Sequence, residues 1–511
     1  MSADDNSKEL LNEAMNFHQQ GNLFDAVRLY ARVIELEPDN AQALRLSGIL
    51  AREHGDIDRS LELLTRAAGI AADRPEPLGE IALSHMAAGE LNDAEAALRA
   101  ALAIAPDYSA GLTNLGALLQ HRGYLQESIA LYEQLLSHEP DNIEVRCNLA
   151  KALTDIGANA RALAECQQAV DDSGQHPYAL ATLGAVQLDL ENYNEARTAL
   201  EKAIQADPHD DMALVNLAVA CYQLDDLETA TTLLRSAVEI NPWNARAVAD
   251  LANALSATGS VEEALALCRA FLQQHPGERL VVAALALALH NAGQTETALE
   301  LTDFHKLVQV HALPTSAEYS SIEDFNTTLS QLMRQNPSLT TNPVSKSTAG
   351  GDQTGELDLQ SDPALTLLAN AINAAVNAAA NQYRTDGLDA HPVMAPAADR
   401  WMTRCWGTVL REGGQQTPHM HPLGWLSGIY YPHLPTDMGQ ADAEAGWLEF
   451  GALPDRFFRT TEPPRWRHQP QPGELIIFPS WFWHQTLPFQ SADERISIAF
   501  DIMPQSSLQM L

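Results

Sequence analysis

A period of 34 residues governs the first 300 positions of the chain. Pro38, Pro106, Pro140, Pro208, Pro242 and Pro276 fall on one grid, with Ala72 and Gly174 at its two remaining points. Ten residues after each point stands a small residue: Gly48, Ala82, Gly116, Ala150, Gly184, Ala218, Ala252 and Ala286. A second small column runs from Ala26 and Ser60 through Ala94 and Ser128 to Ala264 and Ala298. Glycines such as Gly21, Gly55, Gly89, Gly123 and Gly157 lie between the two columns, where a turn must reverse the chain. Proline lacks the amide proton that a continuing helix needs, so each grid point ends one. Small residues at fixed offsets let two helices approach closely. A period held this long predicts stacked helical hairpins, each burying its apolar face only against its neighbours.

The pattern resembles the tetratricopeptide repeat, over residues 9–305 and about nine units. The resemblance implies an all-α superhelix whose first helices line a concave groove. Asn114, Asn148 and Asn216 lie two positions before the first small column, with Thr182 at the same point between them. An amide both donates and accepts, so such a column suits the backbone of an extended peptide. The alternative is that these amides bond within their own repeats. Repeat-containing glycosyltransferases that modify protein serines resemble this arrangement. No glycosyltransferase domain is evident after the repeats, so the likeness stops at the groove.

Residues 306–395 change texture. The stretch 315–358 is rich in Ser, Thr, Asn and Gln, as in a flexible linker. Phe325–Met333 nonetheless reads as a short helix, and Pro363–Tyr383 as a longer one with Leu365, Leu368, Ile372 and Ala375 on one face. The segment is expected to buttress the domain that follows. From 396 to 504 the chain reads as strands, at 402–411, 425–431, 446–451, 474–478 and 495–502, separated by Gly, Pro and Asp turns. Such a series predicts a jelly roll, a double-stranded β-helix. Its many tryptophans are expected in the core, with Trp425, Trp481 and Trp483 as candidates to wall a pocket.

Chemistry concentrates in this last segment. His419 and His421 sit two apart, which on a strand puts both on one face. His484 follows on a later segment, and Arg495 on the final strand. A close histidine pair, a distant histidine and a downstream arginine meet the needs of a non-haem iron site. Three ligands hold one face of the metal and leave positions open, while the guanidinium can clamp a carboxylate.

The order of His419-Met420-His421, Leu426–Tyr431, Gly446–Phe450, Pro472–Ser480, His484 and Arg495-Ile496-Ser497 resembles the 2-oxoglutarate- and iron(II)-dependent oxygenases, in particular a branch fused to tetratricopeptide repeats. The resemblance implies His419 and His484 as iron ligands, with Arg495, Ser497 and Tyr431 binding the far carboxylate of 2-oxoglutarate. Position 421 departs from the pattern, holding histidine where a carboxylate is usual. The third ligand is then His421, or Glu449 on the following strand, or absent. Beyond the metal site no catalytic side chain is indicated. His433 and His468 are read as surface residues.

The formal charge of −36 argues against nucleic-acid phosphates or anionic lipid as partners and leaves a polypeptide as the expected one. Five scattered cysteines without a CxxC pair fit a reducing compartment. The start of the chain lacks a signal-peptide pattern, and the longest apolar run, Leu280–Leu289, is too short to span a bilayer. A cytoplasmic enzyme that oxidises a polypeptide recruited by its repeats is the expectation. A repeat scaffold with a non-catalytic jelly roll and a small-molecule oxygenase are the alternatives.

Overall fold

A computed structural model of the protein describes residues 3–313, 319–343, 346–396, 400–438 and 443–504. Parts of the expected linker (314–318, 344–345) and of the expected jelly roll (397–399, 439–442) lie outside the described residues.

The 34-residue grid becomes helix pairs, from Ala3–Gln19 with Leu23–Leu36 to Arg279–Asn291 with Thr295–Leu301. Two residues after several of the grid points a polar side chain starts the next helix. Asn40, Asn142, Asp210 and Asn244 each accept a hydrogen bond from the amide three positions on, which satisfies one of the helix's free amides. The small columns are contact points: a Cβ on Gly184 would lie 2.4 Å from Leu200 Cγ, and one on Gly116 would lie 2.5 Å from Tyr132 Cε1.

The chain divides into two compact units. Residues 3–121 and 126–140 form the first, a set of helix pairs with cores such as that of Ala26, Leu29 and Tyr30. Residues 122–125 and 141–504 form the second, which contains the later repeats and everything after them. Its main core joins Val282 and Ala283 of the last repeat to Leu307, to one face of the helix Pro363–Thr385 and to the sheet strands. That helix is 23 residues long and apolar enough to cross a membrane, but Leu365, Leu368, Ile372, Val376 and Tyr383 are buried in this core. A second helix, Ile322–Arg334, presents Phe325, Leu329 and Met333 to the same core.

The sheet strands are β1 (Gln309–Ala312), β2 (Thr340–Thr341), β3 (Thr348–Gln353), β4 (Trp401–His419), β5 (Leu426–His433), β6 (Leu448–Phe450), β7 (Trp466–His468), β8 (Glu474–Pro479), β9 (His484–Thr486) and β10 (Arg495–Pro504). Their order is β1-β8-β5-β10-β4-β9-β6-β7, with β2 and β3 added beside β4, and every pairing is antiparallel. The long β4 lets one sheet curl: residues 401–410 pair with β10, and Gln416 and His419 pair with β9. Gly413, at φ +73°, and Gly414, whose Cβ would meet Gly350 O at 2.7 Å, mark the bend between those halves. The fold class is the expected one, all-α tetratricopeptide repeats followed by a curled antiparallel sheet of jelly-roll type with flanking helices.

Candidate metal centre

The three imidazoles meet. His419 closes β4 directly opposite His484 on β9, and their ring centroids lie 4.2 Å apart. The His421 ring is 5.2 Å from that of His419 and 5.1 Å from that of His484. One ring nitrogen from each lies within 4.8 Å of the other two. His421 is not on the strand, contrary to the simplest reading of a His-x-His pair. It follows the end of β4, where its amide donates to Ser480 O (3.0 Å) and its ring stacks on Trp406 (5.4 Å, 21°).

In all three rings the Nδ1 is already engaged. It is 2.7 Å from Thr417 O in His419, 2.9 Å from Phe482 O in His484 and 2.7 Å from Asp501 Oδ1 in His421. Each acceptor fixes the tautomer with the proton on Nδ1, leaving Nε2 with a lone pair. His421 Nε2 is buried with no hydrogen-bond partner. Burial, then the neighbouring His421, pushes His419 down to about 3. Burial and the two neighbouring imidazoles hold His484 well below its ordinary value. Both rings are therefore neutral near pH 7, the form that binds a metal.

Glu449 is directed elsewhere. Phe450 lies opposite His484 across the β6–β9 pairing and Glu449 opposite Gln485, so Glu449 leaves the other face of the sheet. Its fully buried carboxylate accepts from Arg467 Nε (2.6 Å), Arg465 Nη1 (3.3 Å) and Gln485 Nε2 (2.5 Å).

Beyond the imidazoles, β10 turns Arg495, Ser497, Ala499 and Asp501 to one face by its two-residue alternation. Arg495 is 1% exposed, its Nε donates to Gly446 O (3.3 Å), and its Nη1 and Nη2 are buried with no partner. Its guanidinium stands 5.0 Å from the centroid of the Tyr431 ring, whose buried hydroxyl neighbours Arg495 but makes no well-formed hydrogen bond among the described residues. Thr408 pairs directly with Ser497 across β4 and β10, and its hydroxyl is a further buried orphan. Burial pushes the Tyr431 phenol up and the Arg495 guanidinium down. Buried donors left without acceptors in one place form a cradle that fits a carboxylate.

Two residues of the site are not singled out by the sequence reading. Asp501, which carries His421 and also accepts from Ser427 Oγ (2.6 Å), shares the β10 face with Arg495, so the strand period points to it. Burial opposes its ionisation, but His421 and Ser427 hold its carboxyl below the usual value. Thr408 carries no such signal, because its role depends on which strand β10 pairs with. Of the three tryptophans expected at a pocket, Trp425 is a core residue donating to Val393 O (2.5 Å), while Trp481, also buried and donating to Leu301 O (3.2 Å), lines a second cavity whose walls include none of the three histidines. Trp483 does line a cavity of about 400 Å³ with His419 at its wall. His468 is part-buried and bonds Glu474, and His433 pairs with Asp493 at the rim.

Asn114 lies in the first compact unit, Asn148 and Asn216 in the second. All three are half-buried, and none of their side chains has a hydrogen-bond partner among the described residues.

Residues 404–501 match the family described as "Putative 2OG-Fe(II) oxygenase". Tetratricopeptide repeat families match 11–75, 80–142 and 182–245, and 225–287. Residues 121–203 match the family of anaphase-promoting complex, cyclosome, subunit 3. No curated protein matches the chain. Similar solved structures include a tetratricopeptide repeat protein from Parabacteroides merdae, at 15% identity and TM-score 0.42, covering 48% of this chain and 97% of that one. Pseudomonas aeruginosa pilF is 16% identical at TM-score 0.35, covering 40% and 94%. YrrB, described as a TPR protein with an unusual peptide-binding site, is 21% identical at TM-score 0.28, covering 37% and 97%.

Proposed function

Because the chain is a tetratricopeptide-repeat protein carrying a domain of the 2-oxoglutarate/Fe(II) oxygenase type at 404–501, we propose that it is an oxygenase acting on a polypeptide recruited by its repeats. His419, His421 and His484 hold Fe(II), and Arg495, Tyr431 and Ser497 hold 2-oxoglutarate. When bound, the pair couples loss of CO2 from 2-oxoglutarate to transfer of one oxygen atom of O2 into a substrate C–H bond. The chain's own part is to bind, orient and exclude water. Thr417 O, Phe482 O and Asp501 keep each imidazole in the tautomer that presents a lone pair. Arg495 and Tyr431 supply preformed donors, so no reorganisation is needed when a carboxylate arrives.

The observation that carries this reading is a set of buried orphans tied together by β10: His421 Nε2 in the histidine cluster held by Asp501, and Arg495 Nη1 and Nη2 beside the Tyr431 hydroxyl on the same strand face as Asp501. Buried polar atoms without partners are costly, and a metal and a carboxylate would satisfy them all at once. Anaerobic titration with Fe(II) and 2-oxoglutarate tests it. A visible charge-transfer band that requires both, and is lost in His484→Ala and Arg495→Ala, is expected. A wild-type protein that binds neither would leave the repeat scaffold as the better account. Buried, free cysteines at all five positions suit a reducing, cytoplasmic setting.

A further inference from the structure

We propose that the cavity beside His419 is the substrate site, and that its occupant is an extended polypeptide presenting an uncharged, aliphatic side chain. The proposal rests on the oxygenase reading above and adds where the substrate lies and what it offers.

The repeat grid leads to the cavity. Asn148, Thr182, Asn216, Asp250 and Ala284 stand 34 residues apart, on the helices Ile143–Asp155, Pro177–Asp189, Asp211–Gln223, Ala245–Ala257 and Arg279–Asn291, which pack one against the next. They form one column along the inner helices of the second unit. The last two, Asp250 and Ala284, line the cavity that has His419 in its wall. The amides of Asn148 and Asn216 have no partner among the described residues, while Thr182 is buried with Cys147 hydrogen-bonded to it. Polar contacts are thus offered at alternate repeats. A free primary amide matches the alternating carbonyl and N–H groups of an extended chain, whatever its sequence. With helices 8–10 Å apart, Asn216 lies roughly 20 Å, or about six extended residues, from the cavity's far helix.

The cavity walls decide the side chain. The lining is mainly apolar, with Pro418, Met420 and Trp483 from the histidine-bearing segments and Leu280, Leu287 and Phe457 from other elements. The charged groups on the lining, Arg246, Asp250 and Arg456, interact with one another, Arg246 Nε being 3.6 Å from Asp250 Oδ2. A lysine or carboxylate brought into the cavity would lose its hydration against a mainly apolar lining whose charged groups already engage one another, which is costly, whereas an aliphatic C–H loses nothing. In the reaction one oxygen atom of O2 replaces a C–H bond by C–OH. The other leaves in succinate as 2-oxoglutarate gives up CO2.

The full chain, loaded with Fe(II) and 2-oxoglutarate in air, would be offered a pool of synthetic dodecapeptides of random sequence and the products read by mass spectrometry. Gain of one oxygen atom on an aliphatic residue is expected. Asn216→Ala is expected to raise KM about tenfold with kcat unchanged, the equivalent of one lost amide hydrogen bond. Ala284→Trp, which fills the cavity, is expected to abolish peptide oxidation while the metal–2-oxoglutarate absorption band persists. The proposal is overturned if no peptide is oxidised, if oxidation falls on charged residues, or if both variants oxidise peptides like the wild type. A wild type without the absorption band would instead sink the oxygenase reading itself.

Discussion

Asp501, hydrogen-bonded to His421, places beside the three candidate imidazoles a negative charge that they lack themselves. A carboxylate hydrogen-bonded to the far nitrogen of a ligating histidine raises the ring's basicity and fixes its orientation, and losing such a partner costs metal affinity 10–100-fold in typical cases. Asp501→Asn keeps the shape and a hydrogen-bonding oxygen but removes the charge. Fe(II) affinity, measured anaerobically, is expected to fall by roughly that factor with the fold unchanged. Two imidazoles, His484 buried and His419 partly exposed, also set a pH dependence. His419, at about 3 when folded against 6.5 ordinarily, and His484, also lowered, bind protons in the unfolded chain before they do in the folded one. Stability of the metal-free protein is therefore full above pH 6.5 and falls as pH drops from there toward about 3. The slope is at most about 1.4 kcal/mol per pH unit for each ring, less for the partly exposed His419. Urea midpoints at several pH values check this, and His484→Gln should flatten the slope. That His419, His421 and His484 would cluster could be read from their spacing on strand-like segments, and the cluster is there. Asp501 was legible only in retrospect, from the alternation that puts it on the Arg495 face.

Whether an element could be read depended on how much sequence it repeats. The helices of the repeats recur at a fixed period, so caps, small residues and breakers reinforce one another. Gly184 shows the packing side of that pattern: a Cβ there would meet Leu200 Cγ at 2.4 Å. Gly184→Ala gains helix propensity, yet overpacking is expected to dominate and lower stability by about 1–3 kcal/mol, read as a shift in the denaturant midpoint. The strands gave weaker signals. The expected strands 402–411, 425–431, 446–451, 474–478 and 495–502 correspond to β4, β5, β6, β8 and β10, but β4 runs on to His419. β1, β7 and β9 span four residues or fewer, too short for alternation to show. β3 arises inside the Gly- and Thr-rich stretch that reads as linker, because its pairing with β4 supplies hydrogen bonds that local propensity does not encode.

At the scale of the whole molecule, no local pattern could show that the last repeat is part of the sheet's core. Phe304, just past the final repeat helix, packs its ring against Phe450 (6.0 Å) and Phe482 (5.2 Å), and the Phe450 ring is itself 6.0 Å from that of His484. Arg279 of the last repeat is 8% exposed and donates to Pro422 O (3.1 Å) and Leu423 O (2.8 Å), immediately after His421. The later repeats therefore help hold the backbone that carries the candidate ligands. A chain shortened to residues 141–504 is expected to fold and to keep the Fe(II)–2-oxoglutarate absorption band. One shortened to 306–504 strips Val282, Ala283, Phe304 and Arg279 from this core and is expected to lose both cooperative melting and the band. Arg279→Ala in the full chain isolates one contribution. It removes two charge-assisted hydrogen bonds to carbonyls, so stability should fall by roughly 1.5–3 kcal/mol. Because those carbonyls flank His421, Fe(II) affinity should fall with it. Retained affinity in the 306–504 chain would show instead that the sheet alone fixes the site, with the repeats no more than a tether.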